Sequence, residues 1–445
     1  MADGVTRAET EGLFAPGFRA APLWAEGLPP LPPLAEALPE RAEVAIIGAG
    51  YTGLSAALAT ARGGRETVVL EAGDPGQGCS TRNGAQVSHS VKPSRAALAR
   101  RFGEERARAM RAEGPAALAW VERLVAEEGI DCGFRRSGRV LGAHSPAAFR
   151  ELQGLADRLC REEDLDIRAL PRPRQREELG TDAYHGALVY APYATLHPAR
   201  YHRGLLERSL GAGATVVPHC PATAIRPEGG GFAVETPRGT VRVRDVAVAT
   251  NGYTSALTPW LRRRVIPIGS YVIATEPLPR ALMDRLFPTG RMACDTRRVI
   301  YYYGPTPDRS RIVFGGRVSA GEIDDRVAAP RLHAEMARLF PELRETRISH
   351  AWHGTVAYSF DSLPHTGRHE GVHYALGYCG SGVSLSGYLG MRMGQKILGR
   401  PEGRTAFDDL PFPTRPLYAG RPWFLPAAVA WYRLRDRADA LLTGG

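Results

Sequence analysis

Residues 43–71 read EVAIIGAGYTGLSAALATARGGRETVVLE. Glu43 to Ile47 is a short apolar run of the kind that forms a buried parallel strand, and Leu54 to Ala61 is rich in strong helix formers. A second apolar run, Thr67 to Leu70, follows and ends in Glu71. The stretch therefore predicts a strand–helix–strand unit of about 30 residues. Its turn is Gly48-x-Gly50-x-x-Gly53. Gly48 permits a tight bend, Gly50 lets backbone approach a pyrophosphate, and Gly53 lets the helix pack on the strands. The free N–H groups and dipole of a helix opening at Tyr51 and Thr52 favour an anion there. Glu71, followed by Ala72, stands where a carboxylate accepts from ribose hydroxyls. An acid at that point argues against a 2′-phosphate and leaves FAD or NAD.

Downstream, Gly76-x-Gly78-x-Ser80-x-Arg82-Asn83-Gly84 has the small and polar residues of a loop that could lie close to a second section of the cofactor. Read without its context, the same loop is a surface turn and Arg82 a solvated charge.

Around this core the chain is that of an ordinary globular enzyme, with 445 residues, 44% hydrophobic and 23% charged. Its 57 basic residues outnumber 47 acidic ones for a net charge of +10. All but Lys92 and Lys396 are arginines, and they are scattered rather than gathered into a phosphate-tracking patch, so nucleic acid is not expected as a partner. The six cysteines stand far apart without a C-x-x-C or a Cys/His cluster, so reduced thiols and no metal centre are expected. Neither a signal peptide nor an apolar run long enough to span a membrane is evident, which points to a soluble, cytoplasmic protein. Oligomeric state is not legible.

The organisation expected is α/β, with a Rossmann-like cofactor domain and a second α+β substrate domain built on a mostly antiparallel sheet. A Pro-rich arm covers 1–41, with Trp24 and Leu34 as anchors that dock it on the body. The cofactor domain is discontinuous, over 42–87, 195–255 and 351–405. Residues 88–194 and 256–350 form the substrate domain, and 406–445 a Pro-rich, aromatic tail. Within these, helix patterning runs from Ala97 to Glu128 and again from Glu335 to Phe340. Ser145 caps a helix from Pro146, and His197 starts one at Pro198. The runs IGSYVIATEP, RVIYYY and RIVFGG are strands.

The ordered set GAGYTGLSAAL, EAGDPGQGCSTRNG, ATNGYTS, IGSYVIATEP, FGGR and YALGYCGSGVSLSGYLG resembles the FAD-dependent amine and amino-acid oxidases related to D-amino-acid oxidase, glycine oxidase and sarcosine oxidase, nearest to the gamma-glutamylputrescine oxidase-like proteins. The likeness spans about residues 20 to 435 and includes RPWFLP and WYRLRD near the end. It implies FAD as cofactor, with Gly380, Ser381, Gly382 and Val383 near the pyrimidine end of the flavin and Ala222 on the adenine side. A helix N-terminus aimed there stabilises negative charge on a reduced ring. It also implies removal of hydride from a carbon bearing an amine, hydrolysis of the imine, and reoxidation by molecular oxygen or another electron acceptor, a quinone or carrier protein among them. A non-catalytic, cofactor-binding accessory subunit is the alternative from another class.

Amino-acid-oxidising relatives grip the substrate carboxylate with an Arg five residues before the position of Asp361. This chain has Val356 there, which cannot make a bidentate pair with a carboxylate. That departure favours an amine, or a substrate whose carboxylate lies elsewhere, with Arg82, Arg298 and Arg317 as candidate replacements. Tyr253, Tyr271, Tyr302 and His353 are the candidate catalytic or pocket residues, since aromatic walls suit amines. Of Tyr301 to Tyr303, at most two can face one side of a strand. Cys79 and Cys379 are candidates for covalent attachment of the flavin, or simply packing residues.

Overall fold

A computed structural model describes residues 12–163, 165–319 and 321–442. The opening unit forms as expected: strand Val44–Ile47, helix Tyr51–Arg62 and strand Thr67–Leu70. Both strands are buried along their whole length, which explains why neither alternates polar and apolar residues. They sit at the middle of a six-stranded sheet ordered His365–His369, Val372–Leu376, Asp245–Val248, Val44–Ile47, Thr67–Leu70, Thr215–Val217. Pairing is parallel throughout except for the edge strand His365–His369. On one face helix Tyr51–Arg62 packs against helix Gly382–Ile397, where bare glycines allow close approach. A Cβ on Gly390 would stand 2.2 Å from Thr52 O.

The second layer is a nine-stranded, mostly antiparallel sheet in the order Phe14–Arg19, Ile348–Ser359, Val265–Thr275, Ile312–Gly316, Tyr301–Pro305, Met292–Asp295, Arg139–Gly142, Gly186–Tyr190, Ile167–Pro171. Its core lies on the side covered by helix Asp325–Leu339, with Tyr271, Tyr303, Phe314 and Leu332 among the buried residues. The long strand Ile348–Ser359 belongs to this sheet, so the boundary expected at 351 falls inside a strand. A three-stranded antiparallel sheet, Ala224–Glu228, Gly231–Thr236 and Gly239–Val243, flanks the parallel one.

Residues 1–11 of the arm lie outside the described residues; the rest docks, and part of it becomes a strand: Phe14–Arg19 pairs in parallel with Ile348–Ser359. Trp24 is 2% exposed and its indole N–H donates to Asn83 O (2.9 Å). Ser145 and His197 cap their helices, accepting from the Ala148 and Arg200 N–H groups. Three elements differ from the sequence reading. The helix expected from Ala97 to Glu128 is two, Arg95–Phe102 and Glu104–Glu127, because Gly103 at φ +83° breaks the helical path between them. The helix expected over 335–340 begins at Asp325 and carries Pro330 in its second turn. The Pro-rich tail ends in a helix, Leu425–Leu442. Among the described residues no helix is long and apolar enough to cross a membrane.

Candidate active site

The glycine turn is built as its sequence requires. Gly48 has φ +104°, and a Cβ on Gly53 would lie 1.9 Å from Gly48 O, so neither position admits a side chain. Gly50 precedes the helix and provides no side-chain cap. The Glu71 carboxylate accepts from the Ala49 N–H (2.7 Å) and the Gly73 N–H (3.1 Å), which clamps the strand end to the turn. Each of its oxygens keeps a lone pair for a further donor. From below, His202 Nε2 lies 2.7 Å from Ala49 O. Burial lowers this imidazole to about 4, so it is neutral and donates to that carbonyl. Nothing in the sequence marked His202, because its partner lies 153 positions away.

The second glycine loop folds over this turn. Ser80 Oγ accepts from the Tyr51 N–H (3.0 Å), and a Cβ on Gly50 would come 2.9 Å from that oxygen. Asn83 donates to Ser80 O (2.9 Å) and accepts from the Ala85 N–H (3.0 Å). Arg82 donates to Gln77 O (2.7 Å) and His353 O (3.2 Å), so it fastens the loop to the large sheet. Gly78 packs against the Tyr253 ring, and a Cβ on Gly84 would stand 2.6 Å from the Tyr302 ring. Ala72 is exposed beside Glu71. Ala222 lies between strands Thr215–Val217 and Ala224–Glu228, two residues past Cys220, whose N–H donates to Glu71 O (2.7 Å). The C-terminal turn approaches from the other side. Gly380 has φ +91°, Ser381 precedes helix Gly382–Ile397 without a side-chain cap, and Val383 is buried. Tyr378 OH and Thr52 Oγ1 (2.8 Å) join the two helix starts. A bare helix N-terminus, a carboxylate at the strand end and closely layered glycines fit a dinucleotide lying across the parallel sheet.

Between this end of the molecule and the large sheet opens a cavity of about 1290 Å³, larger than most ligand pockets. Cys79, Arg82, Asn83, Gly84, Gly380, Ser381 and Val383 line it from the cofactor side. From the sheet, strand register decides which residues face it. Ser270 pairs with Gly354 and Ile268 with Val356, while Tyr302 stands opposite Cys294. All six line the cavity. Tyr302 OH and Ser270 Oγ are hydrogen bonded (2.9 Å), and bare Gly315 makes room for the Tyr302 ring. Helix Leu425–Leu442 contributes Leu425, Ala428, Val429 and Tyr432 to the rim.

The candidate catalytic residues are divided by this register. Tyr302 faces the cavity. Tyr271 and His353, paired across two strands, point to the opposite face. Tyr271 OH accepts from the Ile323 N–H (2.7 Å), and His353 Nδ1 lies 2.8 Å from Asp325 Oδ1. Expected as pocket residues, both are instead tied to the segment leading into helix Asp325–Leu339. Tyr253 is 49% exposed; its hydroxyl accepts from the Thr355 N–H (3.3 Å) outside the cavity lining. Of the candidate arginines, Arg298 reaches the cavity but is paired with Asp436 (3.0 Å), and Arg317 donates to Ser319 O (3.2 Å). Burial raises the Cys79 thiol to about 11, which keeps it protonated at neutral pH, and Cys379 is buried behind Ser359. Sequence reading missed the far wall, made by Arg139, His89, Tyr190 and Tyr193. These four come from three separate segments, Tyr190 and Tyr193 sharing one, and carry no motif.

The model of the family described as DAO, FAD dependent oxidoreductase, matches residues 43–396. The chain belongs to this family. Its FAD dependence accords with the glycine turn and cavity just described. It is 30% identical over 407 residues to gamma-glutamylputrescine oxidoreductase of Escherichia coli, covering 89% of this chain and 93% of that one. OrdL of Haemophilus influenzae, named as an oxidoreductase, is 29% identical over 397 residues, covering 88% and 90%. The crystal structure of glycine oxidase from Geobacillus kaustophilus superposes with a TM-score of 0.70 at 21% identity, over 85% of this chain and 99% of that one. In this DAO-family chain, then, the fold is that of glycine oxidase, and Val356 lines the cavity.

Proposed function

We infer that the chain oxidises the C–N bond of a linear amine, with a gamma-glutamylputrescine-like compound as the first substrate to try. The observation that carries this reading is the charge of the cavity. Its lining carboxylates are Glu162 and Glu163, and each is already paired, with Arg95 (3.1 Å) and Arg111 (3.0 Å). Among the described residues, Lys92 and Arg139 lie on the same walls without a carboxylate partner. A cationic, partly dry cavity disfavours an ammonium and holds a bound amine in its neutral form, the one able to release hydride from the adjacent carbon.

Bound FAD supplies a two-electron acceptor for that hydride. The chain's own residues position and shield. The Tyr302–Ser270 hydroxyl pair offers a donor and an acceptor on the sheet side, which holds a neutral amine by hydrogen bonds and needs no dedicated base. The start of helix Gly382–Ile397 lies at the cavity wall through Ser381 and Val383, and its dipole favours negative charge accumulating there. Water then hydrolyses the released imine, and molecular oxygen is the acceptor that closes the cycle.

Anaerobic titration of the FAD-loaded protein with gamma-glutamylputrescine, polyamines and amino acids tests the reading. Bleaching of the flavin bands by a linear amine, followed by recovery and peroxide formation on admitting oxygen, is the expected result. A flavin that stays oxidised with every amine refutes it. Bleaching without peroxide on reoxidation would instead assign a quinone or carrier protein as acceptor.

A further inference from the structure

Arg139 is a partly buried cation with no carboxylate partner among the described residues. It lies on the strand Arg139–Gly142, opposite Tyr190 in register, and its guanidinium carbon stands 4.0 Å from the centroid of the Tyr193 ring and 5.2 Å from that of Tyr190. The titratable groups close enough to act on its charge are Cys294, Tyr193 and Tyr190, none of them an acid at neutral pH. Its Nε is buried and makes no hydrogen bond. Burying a guanidinium with an unmet donor is costly unless something else supplies the acceptor. His89 adds no second positive charge beside it, since burial and the nearby Arg139, Arg111 and Arg136 hold its imidazole neutral, at about 3.

The position of this cation is defined by the sheet. Cys294 pairs with Tyr302 on one side and with Leu141 on the other, so Tyr302, Cys294, Leu141 and Arg139 share the cavity face. Two interstrand steps and a two-residue shift along the strand separate Tyr302 from Arg139, about 12 Å between Cα atoms. Tyr302 is packed on the Gly76–Gly84 loop at Gly84, whereas Arg139 closes the far end against Tyr193 and Leu159.

We propose that Arg139 is the anchor for a carboxylate carried by the amine substrate at the end remote from the carbon that is oxidised. The assignment rests on the amine-oxidation reading and adds a specificity element to it. A fork of N–H donors lying on aromatic faces matches one carboxylate in bidentate fashion, and the Tyr190 and Tyr193 rings, 5.7 Å apart, pack against the fork. A phosphate dianion would ask for a second free cation beside Arg139, but Arg111 is already held by Glu163 (3.0 Å) and Lys92 donates to Tyr358 OH (3.2 Å). With Val356 unable to grip a carboxylate next to the reacting carbon, a far-end anchor selects long amines over α-amino acids.

The test uses the FAD-loaded full chain and reads binding as well as turnover. Octanoate and octanamide are titrated by calorimetry, and 8-aminooctanoate and its methyl ester are compared by anaerobic flavin reduction. In the wild type the acid should exceed its neutral partner by about tenfold to a hundredfold in affinity, and in reduction rate at limiting substrate. In Arg139→Met, which keeps an unbranched stem against the rings, the ratio should fall below about threefold, and Arg139→Lys should recover part of it. Acid and neutral partner binding equally in the wild type overturns the proposal, and this comparison needs no variant to fold. A ratio that survives in Arg139→Met, or inorganic phosphate displacing octanoate more readily than carboxylates do, also overturns it. If the acid binds selectively and Arg139→Met abolishes the selectivity, yet no amine bleaches the flavin, the anion site stands and the amine-oxidation reading falls.

Discussion

The two faces of the nine-stranded sheet are written in alternate residues of the same strands, and they do different work. One face bears Tyr302, Ser270, Gly354, Val356 and Arg139 and borders the cavity. The other bears Tyr271, His353, Tyr303 and Asp295, which pack under helix Asp325–Leu339 or bond to neighbours on that side: Tyr303 to Tyr184, His353 to Asp325, and Asp295 to the Arg297 and Tyr301 N–H groups. Tyr302 and Tyr303 are neighbours of one residue type, yet the first meets the Gly76–Gly84 loop and the second donates a buried hydrogen bond to Tyr184 OH (2.8 Å). Residue type therefore says little about function here, and parity along the strand says a great deal.

Substitutions on each face can break this division. The largest effect is expected at Gly354, where a Cβ would lie 3.2 Å from Arg82 Cβ and 3.5 Å from Cys79 Sγ. Gly354→Val pushes a branched side chain into the loop that shapes the cavity. A displacement of about 1 Å in a positioning element costs about a hundredfold in rate, so stopped-flow flavin reduction should fall by at least about that factor. A variant with unaltered reduction kinetics would show that the cavity face does not set the reaction geometry.

On the opposite face, burial raises the Asp295 carboxyl from 3.8 to about 6, while Arg297 and the backbone N–H groups of Tyr301 and Arg297 pull it down. The folded state thus holds this proton more tightly than the unfolded chain, so the stability contributed by Asp295 is full below about pH 4 and is lost as the pH rises through 6. Asp295→Asn removes that slope. Denaturant titrations of wild type and variant at pH 4 and pH 7 should show wild type losing about 2–3 kcal/mol relative to the variant across the window, with turnover at pH 7 preserved. Parallel pH dependence in the two proteins would remove Asp295 from the account.

The smallest effects sharpen the contrast between neighbours. Tyr302→Phe deletes the hydroxyl that pairs with Ser270 in the cavity and should lower kcat/KM by about tenfold with little change in stability. Tyr303→Phe deletes a buried hydroxyl on the other face. It should cost about 1 kcal/mol of stability, read from the denaturant midpoint, and leave kcat/KM within about twofold. Exchanged outcomes would mean that the register is off by one residue.

Local chemistry made the cofactor end readable. The demands of Gly48, Gly50, Gly53 and Glu71 are met within a single strand–helix–strand unit, so spacing along the chain already implies geometry. The Gly76–Gly84 loop and the turn at Gly380 were legible through their order relative to that unit. The substrate end was not. His353 and Tyr271 look as suitable for a pocket as Tyr302 until cross-strand pairing places them, and a one-residue difference in parity sends a side chain to the opposite face. Arg139 was passed over because an isolated arginine in a chain rich in arginines looks solvated. Only the convergence of Tyr190, Tyr193 and His89 shows it to be enclosed.

By itself, then, the amino-acid order determined the glycine turn at the head of a helix with a carboxylate at the next strand end, because that arrangement depends on backbone freedom over a few neighbouring residues. Tertiary structure alone decided which side chains surround the substrate. That outcome depends on the pairing of strands more than a hundred residues apart, as when Met292 comes to lie beside Arg139, and long-range register leaves no local trace.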